Sequence, residues 1–168
     1  SSADGATWTQ VTAAAGWSPR LAAGLVAHRD RMWLIGGTEN YYFGDATSPR
    51  NDVWSSADGA AWRQETPRAG WSPRAYHQAV VLNGRIYVLG GGNYVPQYEA
   101  RNDVWSSADG VEWTCETESA AWSPRLWFGA AVHRGRMWVI GGWSKEHDNC
   151  GDVWHSADGR DWRRLQTR

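Results

Sequence analysis

The chain has 168 residues, no more than one ordinary domain, with a formal net charge of −1 and 21% charged residues, so neither a basic nucleic-acid surface nor a disordered charged tail is expected. Average usage would give roughly two or three tryptophans; this chain has 14, together with 19 glycines, a composition foreign to a helical rod. No stretch approaches the roughly 18 apolar residues of a membrane helix, so no membrane partner is expected.

Ser-Ala-Asp-Gly recurs with its Asp at Asp4, Asp58, Asp109 and Asp158, in steps of 54, 51 and 49 residues, which sets a repeat period of about fifty. Trp-Ser-Pro-Arg returns in the same register from Trp17, Trp71 and Trp122, and a double glycine at Gly36–Gly37, Gly90–Gly91 and Gly141–Gly142. Arg50 to Gly59 and Arg101 to Gly110 are the same ten letters, so the copies are recent duplicates or were made alike on purpose. The opening at Ser1, inside a motif, points to a start that lies upstream. The two cysteines, Cys115 and Cys150, form no CxxC pair and no disulfide framework.

Within one period the hydrophobic pattern gives four short strands and no helix. In the first, residues Leu21 to Ala27 form strand A, a turn at His28, Arg29 and Asp30 leads into strand B through Met32, Trp33, Leu34 and Ile35, and the double glycine ends it. A variable loop reaches strand C at Asp52, Val53 and Trp54; an Asp-Gly turn, whose Gly accepts the positive φ of a hairpin, leads to Trp62 at the start of strand D. Strand B is apolar on both faces, as stacked sheets require. The divisions are 1–12, a spare outer strand D; 13–66, blade one; 67–117, blade two; and 118–168, blade three.

With these markers the chain resembles the kelch repeat family of β-propellers. The family's Arg after Pro, aliphatic strand, double Gly and later aromatics are met by Arg20, Gly36, Gly37, Trp54 and Trp62, and again in both later copies. The chain departs from the family in having Trp rather than Tyr at Trp54, Trp105 and Trp154. Its Ser-x-Asp-Gly turn is one residue shorter than the Asp-box of sialidase propellers. The resemblance implies an all-β fold of four-stranded antiparallel blades, three per chain.

Propellers close with four to eight blades, and three alone leave two apolar radial faces open. Two copies joined head to tail into a six-bladed ring would cover them, so the expected partner is a second copy of the chain. A fragment cut from a longer six- or seven-bladed chain, or a chain built to test propeller assembly, would carry the same marks. Markers of strand D occur four times, at Trp8, Trp62, Trp113 and Trp162, so Trp8 and Trp162 compete for one outer slot in a closed ring.

The B-to-C and D-to-A loops leave one face of such a ring, where binding residues belong. Arg20, Arg74 and Arg125 would ring the channel mouth beside Tyr41, Tyr42, Phe43, Tyr94, Tyr98 and Trp143, a setting for a carboxylate, a sugar acid or an acidic peptide. The competing reading is structural: an Arg in every copy bridges to Asp52, Asp103 and Asp152. Residues that differ between copies are better candidates, which selects Tyr76, His77 and Trp127 at the start of the inner strands. His28 and His133 fall in equivalent turns on the opposite face and are expected to be exposed.

His147, Asp148, Cys150 and His155 are of metal-ligand type, but their spacing matches no established site, and no metal or cofactor is expected. No nucleophile with a paired base can be picked out. The functional expectation is a self-assembling scaffold or binding module for a protein or an acidic or sugar ligand, with a sugar-modifying enzyme resembling sialic acid epimerase-type kelch propellers as the alternative. Twelve of the 14 tryptophans belong to the repeat; Trp127 and Trp143 do not.

Overall fold

A computed structural model describes residues 1–40 and 47–166. The chain is all-β, built on three four-stranded antiparallel sheets that follow one another along the sequence. The first holds β1 (Gly24–His28), β2 (Arg31–Thr38), β3 (Pro49–Ser56) and β4 (Arg63–Thr66), each hydrogen-bonded to the next. The second holds β5 (Gln78–Leu82), β6 (Arg85–Asn93), β7 (Glu99–Ser107) and β8 (Thr114–Thr117) in the same order. In the third, β9 (Gly129–His133) and β10 (Arg136–Ile140) pair, and β10 pairs with β13 (Val153–Ser156), which pairs with β14 (Arg163–Arg164). Between them β11 (Trp143–Ser144) and β12 (Asp148–Asn149) make a separate two-stranded ribbon. In the first two sheets the register shifts across the double glycine and the hairpin then continues; in the third it breaks there.

The inner strand is shorter than the sequence pattern predicts. Ala22, Tyr76 and Trp127 sit at the same place in the three copies with φ of 55°, 58° and 56°, a left-handed kink that interrupts the strand and leaves Leu21, Ala75 and Leu126 as single bridges to Thr38, Gly92 and Trp143. Every outer hairpin turns on the same device. Ser56 Oγ accepts the Gly59 N–H, and Asp58 Oδ1 accepts the N–H groups of Ala60 and Ala61; Ser107 with Asp109 and Ser156 with Asp158 repeat it. Segment 1–12 folds this turn too, through Ser2 and Asp4. It closes on itself by two bonds between Ser1 and Thr9, without joining a sheet.

The core lies between sheets. Trp33, Ile35 and Val53 of the first pack on Trp71, Ile86 and Val88 at the second; Tyr87, Leu89 and Val104 of the second pack on Trp122, Met137 and Val139 at the third. The turn of each following blade sits on the aromatic of the one before. A Cβ on Gly110 would collide with the Trp33 ring, and one on Gly159 would press on Tyr87. Burial at equivalent positions shows where this stacking stops: Ile35 and Leu89 are 0% exposed but Ile140 is 46%, and Ile86 and Met137 are 0% exposed but Met32 is 36%.

The A-to-B turns place both central residues at positive φ, at Arg29–Asp30, Asn83–Gly84 and Arg134–Gly135. Only the first copy carries a non-glycine at the second position, where an L side chain costs about 1–2 kcal/mol. Asp30→Gly is therefore expected to raise stability by about 1 kcal/mol, read as a higher urea midpoint at unchanged m-value.

Candidate functional site

The three repeat arginines are anchored inside the protein. Arg74 donates from Nε to the Ser72 carbonyl (3.1 Å), from Nη1 to the Gly90 carbonyl (3.0 Å) and Asp103 Oδ1 (2.6 Å), and from Nη2 to Ser72 Oγ (3.0 Å) and Asp103 Oδ2 (2.8 Å). Its guanidinium has five N–H donors, and all have acceptors. Arg20 repeats the set on Ser18, Gly36 and Asp52, and Arg125 on Ser123, Gly141 and Asp152. The same carboxylates accept the indole N–H of Trp54, Trp105 and Trp154 at 2.7–2.8 Å. Burial pushes the Asp103 carboxyl up, but the Arg74 hydrogen bonds and charge, the Trp105 N–H and the Arg101 charge together outweigh it and hold it below the usual range; the Arg125 hydrogen bonds bring Asp152 down to about 2. These forks are the structural bridges named above, and they leave no guanidinium N–H for an anionic ligand.

His77 is likewise inside, between the first two sheets. Its Nε2 accepts the Gly24 N–H at 3.2 Å. Burial first, then the Arg74 charge, depress its pKa from 6.5 to about 3, so the ring is neutral in the native state. His28 is buried rather than exposed, because the next blade covers it: its Nε2 lies 3.2 Å from the Ala108 carbonyl. His133, its counterpart in the third copy, is exposed. His155 stacks against Trp138 with centroids 5.0 Å apart, while His147 and Asp148 are exposed. Among the described residues no three His, Cys, Asp or Glu side chains gather to hold a metal.

The aromatic candidates do come together. Trp127 lies 5.5 Å from Tyr76, 5.0 Å from Tyr94 and 5.9 Å from Trp143, centroid to centroid, and Tyr98 lies 5.3 Å from Trp143. Tyr98 also accepts the Lys145 N–H, so the third copy's loop rests on the second's. Tyr41, Tyr42 and Phe43 lie outside the described residues. Trp127 is 43% exposed and Tyr94 39%, whereas Tyr76 is buried.

The indole N–H groups separate scaffold from surface. Trp8, Trp62, Trp113 and Trp162 donate to the glycine carbonyl of their own turn; Trp33 and Trp138 donate to the carbonyls of His28 and His133; three more serve the Asp carboxylates. Trp17, Trp71 and Trp122 bury theirs without an acceptor, each ring edge-on to Trp62, Trp113 or Trp162. Among the described residues no acceptor meets the indole N–H of Trp127 or Trp143.

Comparison with known proteins agrees with this architecture. The Kelch motif family matches residues 73–106. The chain is 34% identical over 132 residues to the dynein alpha chain of the flagellar outer arm of Chlamydomonas reinhardtii, a match covering 74% of this chain and 3% of that protein. It is 28% identical over 134 residues to the leucine-zipper-like transcriptional regulator 1 homolog of Drosophila melanogaster, covering 71% of this chain and 12% of that protein. The chain carries a Kelch motif at residues 73–106, and it spans a small part of the length of these relatives.

Because unfolded His77 titrates near 6.5 and the native ring only near 3, the unfolded state binds the extra proton between these values. His77 thus favours the native state fully above pH 6.5 and progressively less as pH falls. His77→Phe, the residue found at the equivalent Phe128, is expected to lower stability at pH 7.5 by about 1–3 kcal/mol, since Gly24 N–H loses its acceptor. It is also expected to flatten the loss of stability between about pH 6.5 and 5.5, above the range in which carboxylates titrate. Urea midpoints across that range check both.

Proposed function

We propose that this chain is a propeller-type binding module whose ring is completed by a second copy, head to tail, with its loop face as the recognition surface. The observation that carries this reading is the likeness between the third copy's open face and the first copy's covered one. His133, Trp138, Ile140 and Val153 occupy the positions of His28, Trp33, Ile35 and Val53, which the second blade covers. On the opposite side, Met32 of the first copy is 36% exposed and stands where Met137 is packed in the third. A second copy seated there would bring its Ala57 carbonyl to His133, as Ala108 meets His28, and its Gly59 turn to Trp138.

Two details bear on how that seam forms. Val11 lies beside the Gly59 turn, where Leu165, at the same distance from its own Ser-x-Asp turn, would arrive from the partner. Segment 1–12 therefore has to give way. Asn51 fastens the loop of the following blade by donating to the Ala69 and Trp71 carbonyls, and Asn102 does so to Ala120 and Trp122. The third copy has Gly151 at that position, so the closing seam lacks a clamp that both internal seams have.

Light scattering at micromolar concentration is expected to give twice the 18.8 kDa chain mass. Ile140→Arg is expected to reduce it to a single chain. Gly151→Asn, which restores two hydrogen bonds at each seam, is expected to tighten association by about tenfold or more. A stable monomer in the unsubstituted chain would sink the reading.

A further inference from the structure

The arginine that opens the second strand of each four-stranded sheet is held in a different way in each copy. In the first, Arg31 donates from Nε to Ser55 Oγ at 2.9 Å, Ser55 donates in turn to the Glu65 carboxylate, and Arg63 grips that carboxylate through Nε and Nη2 at 2.7–3.0 Å. Arg31 Nη2 itself stands 3.9 Å from it. In the second, Arg85 donates to Ser106 Oγ, Ser106 donates to Glu116, and Glu116 also receives Arg160 of the next blade at 2.7 Å. Both glutamates are nearly covered, their side chains 7% and 8% exposed.

The third sheet keeps the cations and drops the carboxylate. Arg136 and Arg163 stand at the positions of Arg31 and Arg63, but the serine has become His155 and the glutamate Leu165. His155 lies directly across from Arg163, as Ser55 does from Arg63. Its Nδ1 is 3.5 Å from Arg136 Nη1, so a neutral ring that accepts there carries its proton on Nε2. Among the described residues neither Arg136 nor Arg163 forms an ion pair with a carboxylate. Such donors suit an oxyanion, which an arginine fork binds through two N–H groups at once. The stem that would carry a carboxylate here is absent, and Leu165 is 49% exposed, so the anion comes from outside the chain. In a closed ring the partner's turn would offer only Asp58, whose Oδ1 already accepts two backbone N–H groups. A free anion is the better fit.

We propose that Arg136, His155 and Arg163 form a binding site for a small oxyanion such as phosphate, at the place on the third sheet that the Glu65 carboxylate fills on the first. The site lies within one chain and does not depend on ring closure, which the mass measurement tests separately. An anion there is compatible with closure, since Glu116 holds a carboxylate at the second seam against Arg160.

The test is a titration of the full chain with inorganic phosphate at fixed pH, with sodium chloride holding the ionic strength constant so that general screening does not change. The imidazole proton signals of His155, identified by their loss in His155→Ser, are expected to move along a saturating curve with Kd on the order of millimolar, as exposed charges allow. Those of the exposed His147 are expected to stay in place. Arg136→Gln is expected to weaken binding by about fivefold or more. Leu165→Glu supplies the missing carboxylate at a half-exposed position that tolerates it, and is expected to abolish the response with both arginines still present; it serves if the glutamine variant does not fold. No saturating movement of the His155 signals with tens of millimolar phosphate overturns the proposal. A response that survives Leu165→Glu puts the anion elsewhere and overturns it as well, as does equal movement at His147, which marks general attraction of anions to the surface.

Discussion

The fork between an arginine and an aspartate, repeated once per blade, is the constraint on which the rest of the structure depends. Arg74 reaches from the loop before the inner strand to the end of the second strand at Gly90 and the start of the third at Asp103. One buried cation thereby fixes the spacing of three segments. Removing either partner would strand the other charge in the interior, a loss of about 3–5 kcal/mol. Because Asp103 also receives the Trp105 indole N–H, the same carboxylate orients the aromatic against which the loop entering its own blade is laid: Gly70 sits on the Trp105 ring.

That arrangement explains what could be read from the sequence. The period, the four strands and the turn chemistry are local, and each copy supplied an independent instance of the same pattern. Even the arginine fork was among the alternatives, since Arg and Asp recur together. Contacts between copies were harder. His28 reads as an exposed turn residue within its own blade and is covered only by the turn of the next one. His77 reads as an axis residue and lies between blades, because the kink at Tyr76 redirects the chain. The approach of Tyr94 to Trp127 and Trp143 joins loops of two copies, a relation that no spacing along the chain encodes.

Differences between copies carry as much information as likenesses. Gly151 for Asn51, Ala22 for Trp127 and Phe128 for His77 are substitutions already carried out within one molecule at sites with the same backbone. Where the exchange is between a hydrogen-bonding residue and one that cannot bond, as at Gly151, it marks a change in how neighbours are held. Where a large residue appears at a site that accepts a small one, as at Trp127, it packs on the aromatic rings of the neighbouring copy, Tyr76 and Tyr94.

The seating of a glycine turn on the preceding aromatic has a consequence for growth by duplication. Each copy contributes one knob, the strand aromatic, and one socket, the turn that receives it, on opposite sides. Adding a copy to a linear array fills one of each and supplies one of each, so any array, whatever its length, ends with a single vacant knob and a single vacant socket. The number of blades is thus free to vary at the level of the gene, while closure is set by curvature alone.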